Sequence, residues 1–132
     1  MSTKKIAVIT GASSGIGRQF ADTVCEFGTF DEVWVIARRI ERLQELDLPF
    51  PTRAISLDLA NRDSYIEYAN MLEAEKPDVA LLINASGFGK FCATDETPVE
   101  TNLNMVDLNC QAIIAMCQHT LPYMNKGAHI VN

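Results

Sequence analysis

An α/β fold is the class this chain predicts: an open parallel sheet, doubly wound with helices on both faces. Three observations carry the prediction. Short runs that are almost continuously apolar recur along the 132 residues, as parallel strands covered on both faces require. Longer segments with apolar residues at helical spacing separate them. The first run passes directly into a turn holding Gly11, Gly15 and Gly17. Repeated βαβ units of this kind imply right-handed crossovers and a parallel sheet.

Taken in order, the strand-like runs are Lys5–Thr10, Glu32–Ala37, Arg53–Leu57, Val79–Ile83 and a last one opening at His129 and reaching Asn132. The first helix is expected over Gly15–Phe27, with Ile16, Phe20, Val24 and Phe27 marking its apolar face and Gly28 capping its end. A shorter amphipathic helix is expected over Arg39–Leu46. A third spans Asn61–Glu75 and is stopped by Pro77. The longest runs from Pro98 to Met124, with Val106, Ile113, Ile114 and Met116 on apolar faces. Asp95 and Glu96 before Thr97-Pro98 read as its start, since proline suits the first helical position. Trp34 reads as core. No linker, repeat or low-complexity stretch interrupts the pattern, so residues 1–132 are expected to form one domain.

Composition narrows the function. Hydrophobic residues make up 48% and charged residues 21%, the balance of an ordinary soluble domain. A formal net charge of −6 repels phosphate backbones, which argues against general nucleic-acid or anionic-membrane binding. No apolar run approaches the roughly 20 residues of a membrane span. Cys25, Cys92, Cys110 and Cys117 form no C-x-x-C pair and no metal-ligand spacing, so they read as reduced thiols of a cytoplasmic protein. His119 and His129 have no partnering motif and read as structural.

The segment Thr10-Gly11-Ala12-Ser13-Ser14-Gly15-Ile16-Gly17 carries the chemistry. Gly11 permits a tight exit from the strand, Gly15 lets the backbone approach a diphosphate, and Gly17 allows close helix packing. Amide groups at the helix start then face the anion, aided by the helix dipole and the hydroxyls of Ser13 and Ser14. The spacing is G-x-x-x-G-x-G rather than G-x-G-x-x-G, but the strand before and the helix after supply the context that such a loop requires.

This loop resembles that of the short-chain dehydrogenase/reductase family, whose pattern is T-G-x-x-x-G-x-G. Further motifs follow in the family's order. Asp58-Leu59 stands after the third strand, where a family aspartate meets the adenine ring. Asn84-Ala85-Ser86-Gly87 follows the fourth strand, where the family carries N-A-G against the cofactor; Ser86 is a departure. Asp107-Leu108-Asn109 matches the family's catalytic asparagine, and Leu121-Pro122-Tyr123-Met124 with Ile130-Val131-Asn132 resembles the approach to the fifth strand. The resemblance implies a Rossmann-like sheet of five strands ordered 3-2-1-4-5, with a dinucleotide at the switch point between the first and fourth. Ile16, within the loop, is counted with the cofactor-binding residues.

Enzymes that prefer NAD usually carry an acid at the end of the second strand, roughly 20 residues beyond the loop. Here Ala37-Arg38-Arg39 occupies that point. A guanidinium grips a 2′-phosphate through charge-assisted hydrogen bonds, so NADP is expected over NAD. Arg38 is the stronger candidate; Arg39 reads equally as a solvated charge opening the next helix.

Hydride exchange between a carbonyl and a secondary alcohol also needs a proton donor and a polarising group. The family implies a serine, a Tyr-x-x-x-Lys pair and the asparagine at 109. Tyr65, Tyr68 and Tyr123 are followed four residues later by Ala69, Leu72 and Gly127, so no such pair is present, and Lys126 stands only three beyond Tyr123. From chemistry alone Asn109 reads as a helix-interior amide bonding backbone or water. The resemblance makes it the one catalytic residue present. The chain is therefore expected to be truncated at the fifth strand and inactive by itself, within a parent that turns over a small carbonyl or alcohol. The alternative is a non-catalytic nucleotide-binding or interaction module. With a later family helix missing, the Pro98–Met124 helix should keep an apolar exposed face, and a homo-oligomer is expected.

Overall fold

The computed structural model describes residues 3–132. Five strands form one sheet in the order β3-β2-β1-β4-β5, with every neighbouring pair parallel. They are β1 (Lys5–Thr10), β2 (Glu32–Ala37), β3 (Thr52–Ser56), β4 (Asp78–Asn84) and β5 (His129–Val131). β1 lies at the centre, and Ile6, Ala7, Val8 and Ile9 have no exposed surface. This is the expected Rossmann-like architecture and strand order.

Alternation along the strands builds two cores. Ile6, Val8, Trp34 and Ile36 point to one face, where Tyr65, Tyr68 and Leu72 of α3 (Arg62–Glu75) and Met116 of α5 (Ala112–Thr120) cover them. Ala7, Ile9, Val33 and Val35 point to the other, against Ala21 of α1 (Gly15–Asp22) and Leu43 of α2 (Ile40–Gln44). The β1–β4 register shifts between Ile6 and Ala7, and this irregularity brings Val79 and Leu82 into the first core but Leu81 and Ile83 into the second.

The first helix is shorter than its periodicity predicts. α1 ends at Asp22; the Thr23 hydroxyl donates to the Gln19 carbonyl at 2.8 Å, and a 3₁₀ turn covers Val24–Phe27. Side-chain bonding back to the i−4 carbonyl competes with regular helix geometry. Ile16 (74% exposed) and Phe27 face solvent, so Gly17, Ala21 and Val24 supply the buried face instead. Gly28 does close the turn, at φ 137°. α2 is a single short stretch inside the expected Arg39–Leu46.

α3 is framed by its own polar groups. Asn61 Oδ1 accepts from the Asp63 amide at 3.0 Å, and Lys76 takes a left-handed conformation ahead of Pro77. The last long helix is continuous but not uniform: α4 (Val99–Val106) passes through a π-helical segment, Asp107–Gln111, into α5. Pro98 is its cap rather than its first residue, and Asp95-Glu96 belongs to a separate 3₁₀ turn, Thr94–Glu96. Val106 and Ile114 are exposed, while Ala112, Met116 and Thr120 face inward. Tyr68 bridges α3 to α5 through a 2.7 Å bond to the Thr120 hydroxyl, and burial pushes its phenol well above the ordinary range.

A charged cluster ties β2, β3 and α3 together. The Arg53 guanidinium lies over the Trp34 ring at 4.9 Å, binds both carboxylate oxygens of Glu75, and stands 3.3 Å from Glu32. Glu32 in turn accepts from the Trp34 indole at 2.6 Å. Hydrogen bonding to Arg53 holds the Glu75 carboxyl below the usual carboxylate range, against the opposing effect of its partial burial. A carboxylate whose pKa falls on folding adds stability above its unfolded value, about 4.3, and loses it as pH drops through the folded value. Glu75→Gln is therefore expected to cost up to about 1 kcal/mol at pH 7, a surface-pair magnitude. That deficit should close in acid. Urea denaturation at pH 7 and pH 3 checks this; a deficit unchanged in acid would refute the ionic origin.

Candidate functional site

The carboxyl ends of β1, β2, β3 and β4 open onto a cleft of about 560 Å³, within the size range of small-molecule sites. Its floor is the glycine turn. Gly11 has φ 65°, and a methyl group placed on it would stand 2.4 Å from the Ala85 carbonyl oxygen. A methyl group on Gly17 would stand 2.1 Å from the Gly11 carbonyl oxygen, so α1 begins directly against the turn. Gly15 has φ 56° with open space where a side chain would go. Ser14, in extended conformation, precedes α1 and is exposed; Ser13 is buried. Gly11, Ser13, Ser14, Gly15 and Ile16 all line the cleft, whereas Gly17 lies beneath it.

Thr10 locks the turn to its neighbour strand. Its hydroxyl oxygen, buried, accepts from the Ala85 and Ser86 amides at 3.1 and 3.2 Å. Ala85, Ser86 and Gly87 thereby form the β4 side of the cleft. Asn84 points elsewhere: its amide donates to Asn132 Oδ1 at 2.8 Å and lies 3.4 Å from the Cys117 sulfur, joining β4 to the end of β5.

On the other side, Arg38 and Arg39 follow β2, line the cleft and are exposed. Neither makes an ion pair among the described residues. The Arg38 carbonyl accepts from the Ser56 hydroxyl at 2.8 Å, fixing the backbone that carries the guanidinium. Asp58 and Leu59 follow β3 and complete this wall. Asp58 accepts from the Ala60 amide at 3.0 Å, and Tyr65 donates its hydroxyl proton to the Leu59 carbonyl at 2.5 Å. Burial, with Asp107 adding, raises the Tyr65 phenol, which keeps that donor protonated.

Asn109 sits in the π-helical segment, a backbone irregularity frequent at functional sites. It does not line the cleft. Its Oδ1 accepts from the Phe88 amide at 2.9 Å and its Nδ2 donates to the Phe88 carbonyl at 2.8 Å. The chemical reading of an amide satisfied by backbone thus describes its contacts. The sequence assigns no contact to Thr10, Phe88, Asn104 or Leu108, although Thr10 and Leu108 stand within its motifs. Thr10 and Phe88 each adjoin a motif glycine, the one signal available; Asn104 and Leu108 reach the cleft only through the path of the long helix.

The sequence pattern of the short chain dehydrogenase family matches residues 5–132. The chain belongs to that family. Among this family's members it is 28% identical over 133 residues to an uncharacterized oxidoreductase of Staphylococcus epidermidis, covering 98% of this chain and 57% of that one. It is 33% identical over 133 residues to an NADP-dependent 3-hydroxy acid dehydrogenase of Salmonella typhimurium, covering 96% and 52%. The chain thus spans about half the length of these relatives. An alcohol dehydrogenase from the archaeon Thermococcus sibiricus, complexed with 5-hydroxy-NADP, superposes with a TM-score of 0.79 at 25% identity, over 90% of this chain and 52% of that one.

In this member of the family, the geometry of the turn ranks its glycines. Gly17→Ala and Gly11→Ala force a methyl group into backbone atoms and should destabilise most. Gly15→Ala meets no neighbour and pays only for its left-handed backbone, about 1–2 kcal/mol. Thermal melting of the three variants checks the order; a Gly15 variant less stable than the other two would contradict it.

Proposed function

We propose that the cleft binds NADP(H) and that the chain serves oxidoreduction between a small carbonyl compound and a secondary alcohol. The observation that carries the cofactor choice is the end of β2, where two exposed arginines stand and no carboxylate does. The residues fit the group: a bare-backboned turn, amides at the start of an eight-residue helix, and a guanidinium on an anchored backbone. Gly11–Gly15 would face the diphosphate, Arg38 the adenosine 2′-phosphate with Arg39 beside it, and Asp58-Leu59 the adenine. When bound, the nicotinamide supplies the hydride. Asn109 acts as a positioning residue, because each polar atom of its amide bonds the Phe88 backbone.

A second reading, a nucleotide-binding module without turnover, is favoured by one feature of these 132 residues: no tyrosine is followed four residues later by lysine. With no acid–base pair to pass a proton to the substrate oxygen, these residues alone are expected to bind and not to turn over. The four free cysteines suit a reducing cytoplasm. Exposed Leu103, Val106 and Ile114 along α4 and α5 support self-association.

Calorimetric titration at low salt should show NADP bound more tightly than NAD. Arg38→Ala should weaken NADP about ten- to a hundredfold, the loss of a charge-assisted hydrogen bond, and leave NAD nearly unchanged. Absence of saturable NADP binding by folded protein would sink the proposal. With NADPH and a panel of carbonyl compounds, absorbance of the reduced nicotinamide should stay constant; consumption by this polypeptide would refute the expectation of no turnover.

A further inference from the structure

The cleft can be followed along the carboxyl edge of the sheet. β3 delivers Asp58, β2 Arg38, β1 the glycine turn, and β4 the stretch from Ala85 to Phe88. On the NADP(H) reading above, on which this inference rests, the adenosine bisphosphate end takes the β3–β2 side and the diphosphate lies over β1. The remaining half of the dinucleotide then extends over β4, where Phe88, Asn104 and Leu108 form the wall.

Phe88 differs from every other residue of that wall. Asn109 holds its backbone at both the amide and the carbonyl. The preceding Gly87 lies so close that a methyl group there would stand 2.7 Å from Asn109 Oδ1, so the loop and the clamp fit without slack. The ring itself packs in neither buried core and is 40% exposed. A large apolar side chain that lines a cleft from an anchored backbone and packs in neither core contributes little to folding and is suited to contact a ligand.

We propose that Phe88 positions the nicotinamide half of the dinucleotide, its ring packing against that end while Asn109 fixes the backbone beneath it. The test compares two probes on the full chain: NADP and adenosine 2′,5′-bisphosphate, which lacks the nicotinamide half. Phe88→Ala should weaken NADP about fivefold, the loss of one aromatic packing contact, and leave the bisphosphate unchanged. Phe88→Tyr, which keeps the ring, should retain NADP affinity and guards against a folding defect in the alanine variant. Phe91→Ala, at a fully exposed ring outside the cleft, should alter neither. Equal affinities of parent and Phe88→Ala for NADP, or equal losses for both probes, would overturn the role of Phe88 while leaving the NADP(H) reading intact. Failure of the parent chain to bind either probe would overturn both.

Discussion

The structure depends on a contact between backbones. Gly11 approaches the Ala85 carbonyl, and Gly17 approaches the Gly11 carbonyl, more closely than any residue with a Cβ could. Removing side chains at these two points lets the ends of β1 and β4 and the start of α1 converge on one spot. The buried Thr10 hydroxyl, accepting from two amides of the β4 extension, makes the convergence specific. Without it the carboxyl edge of the sheet would hold a strand end and a loop side by side rather than a continuous cleft floor.

The walls of that cleft are held by the same device, a side chain gripping a neighbouring backbone. Ser56 holds the carbonyl of Arg38, Tyr65 holds that of Leu59, and Asn109 holds both polar groups of Phe88. Each anchor comes from a different element than the loop it fixes. The loops are therefore set by the sheet and by the α3 and α4–α5 layer, while the exposed guanidiniums and the Phe88 ring project from them. Rigid backbone with uncommitted side chains is what ligand binding requires.

Beneath the cleft the two-sided core is ordinary physics. Alternating residues of β1 to β4 feed two separate apolar clusters, and a single register shift between β1 and β4 changes which β4 residues feed which. The Trp34–Arg53–Glu75–Glu32 cluster joins β2, β3 and α3 on one of these faces through a planar guanidinium stacked on indole. The described residues thus form a sheet with apolar clusters on its two faces and a recess of about 560 Å³ at its carboxyl edge.

Apolar runs, helical spacing and the placement of Gly11, Gly15 and Gly17 were sufficient to read the strand positions, the sheet class and the location of the cleft from the sequence. These are local signals: burial on both faces makes a strand apolar throughout, and a turn with left-handed or crowded backbone admits only glycine. The ends of α1, the π-helical segment at Asn109, and the outward turn of Ile16 and Val106 were not legible, because each depends on what packs beside it. So did the turning of Asn84 toward Asn132 and of Asn109 toward Phe88. An amide names the bonds it can make; only the tertiary structure brings a particular partner within 3 Å and so decides which it does.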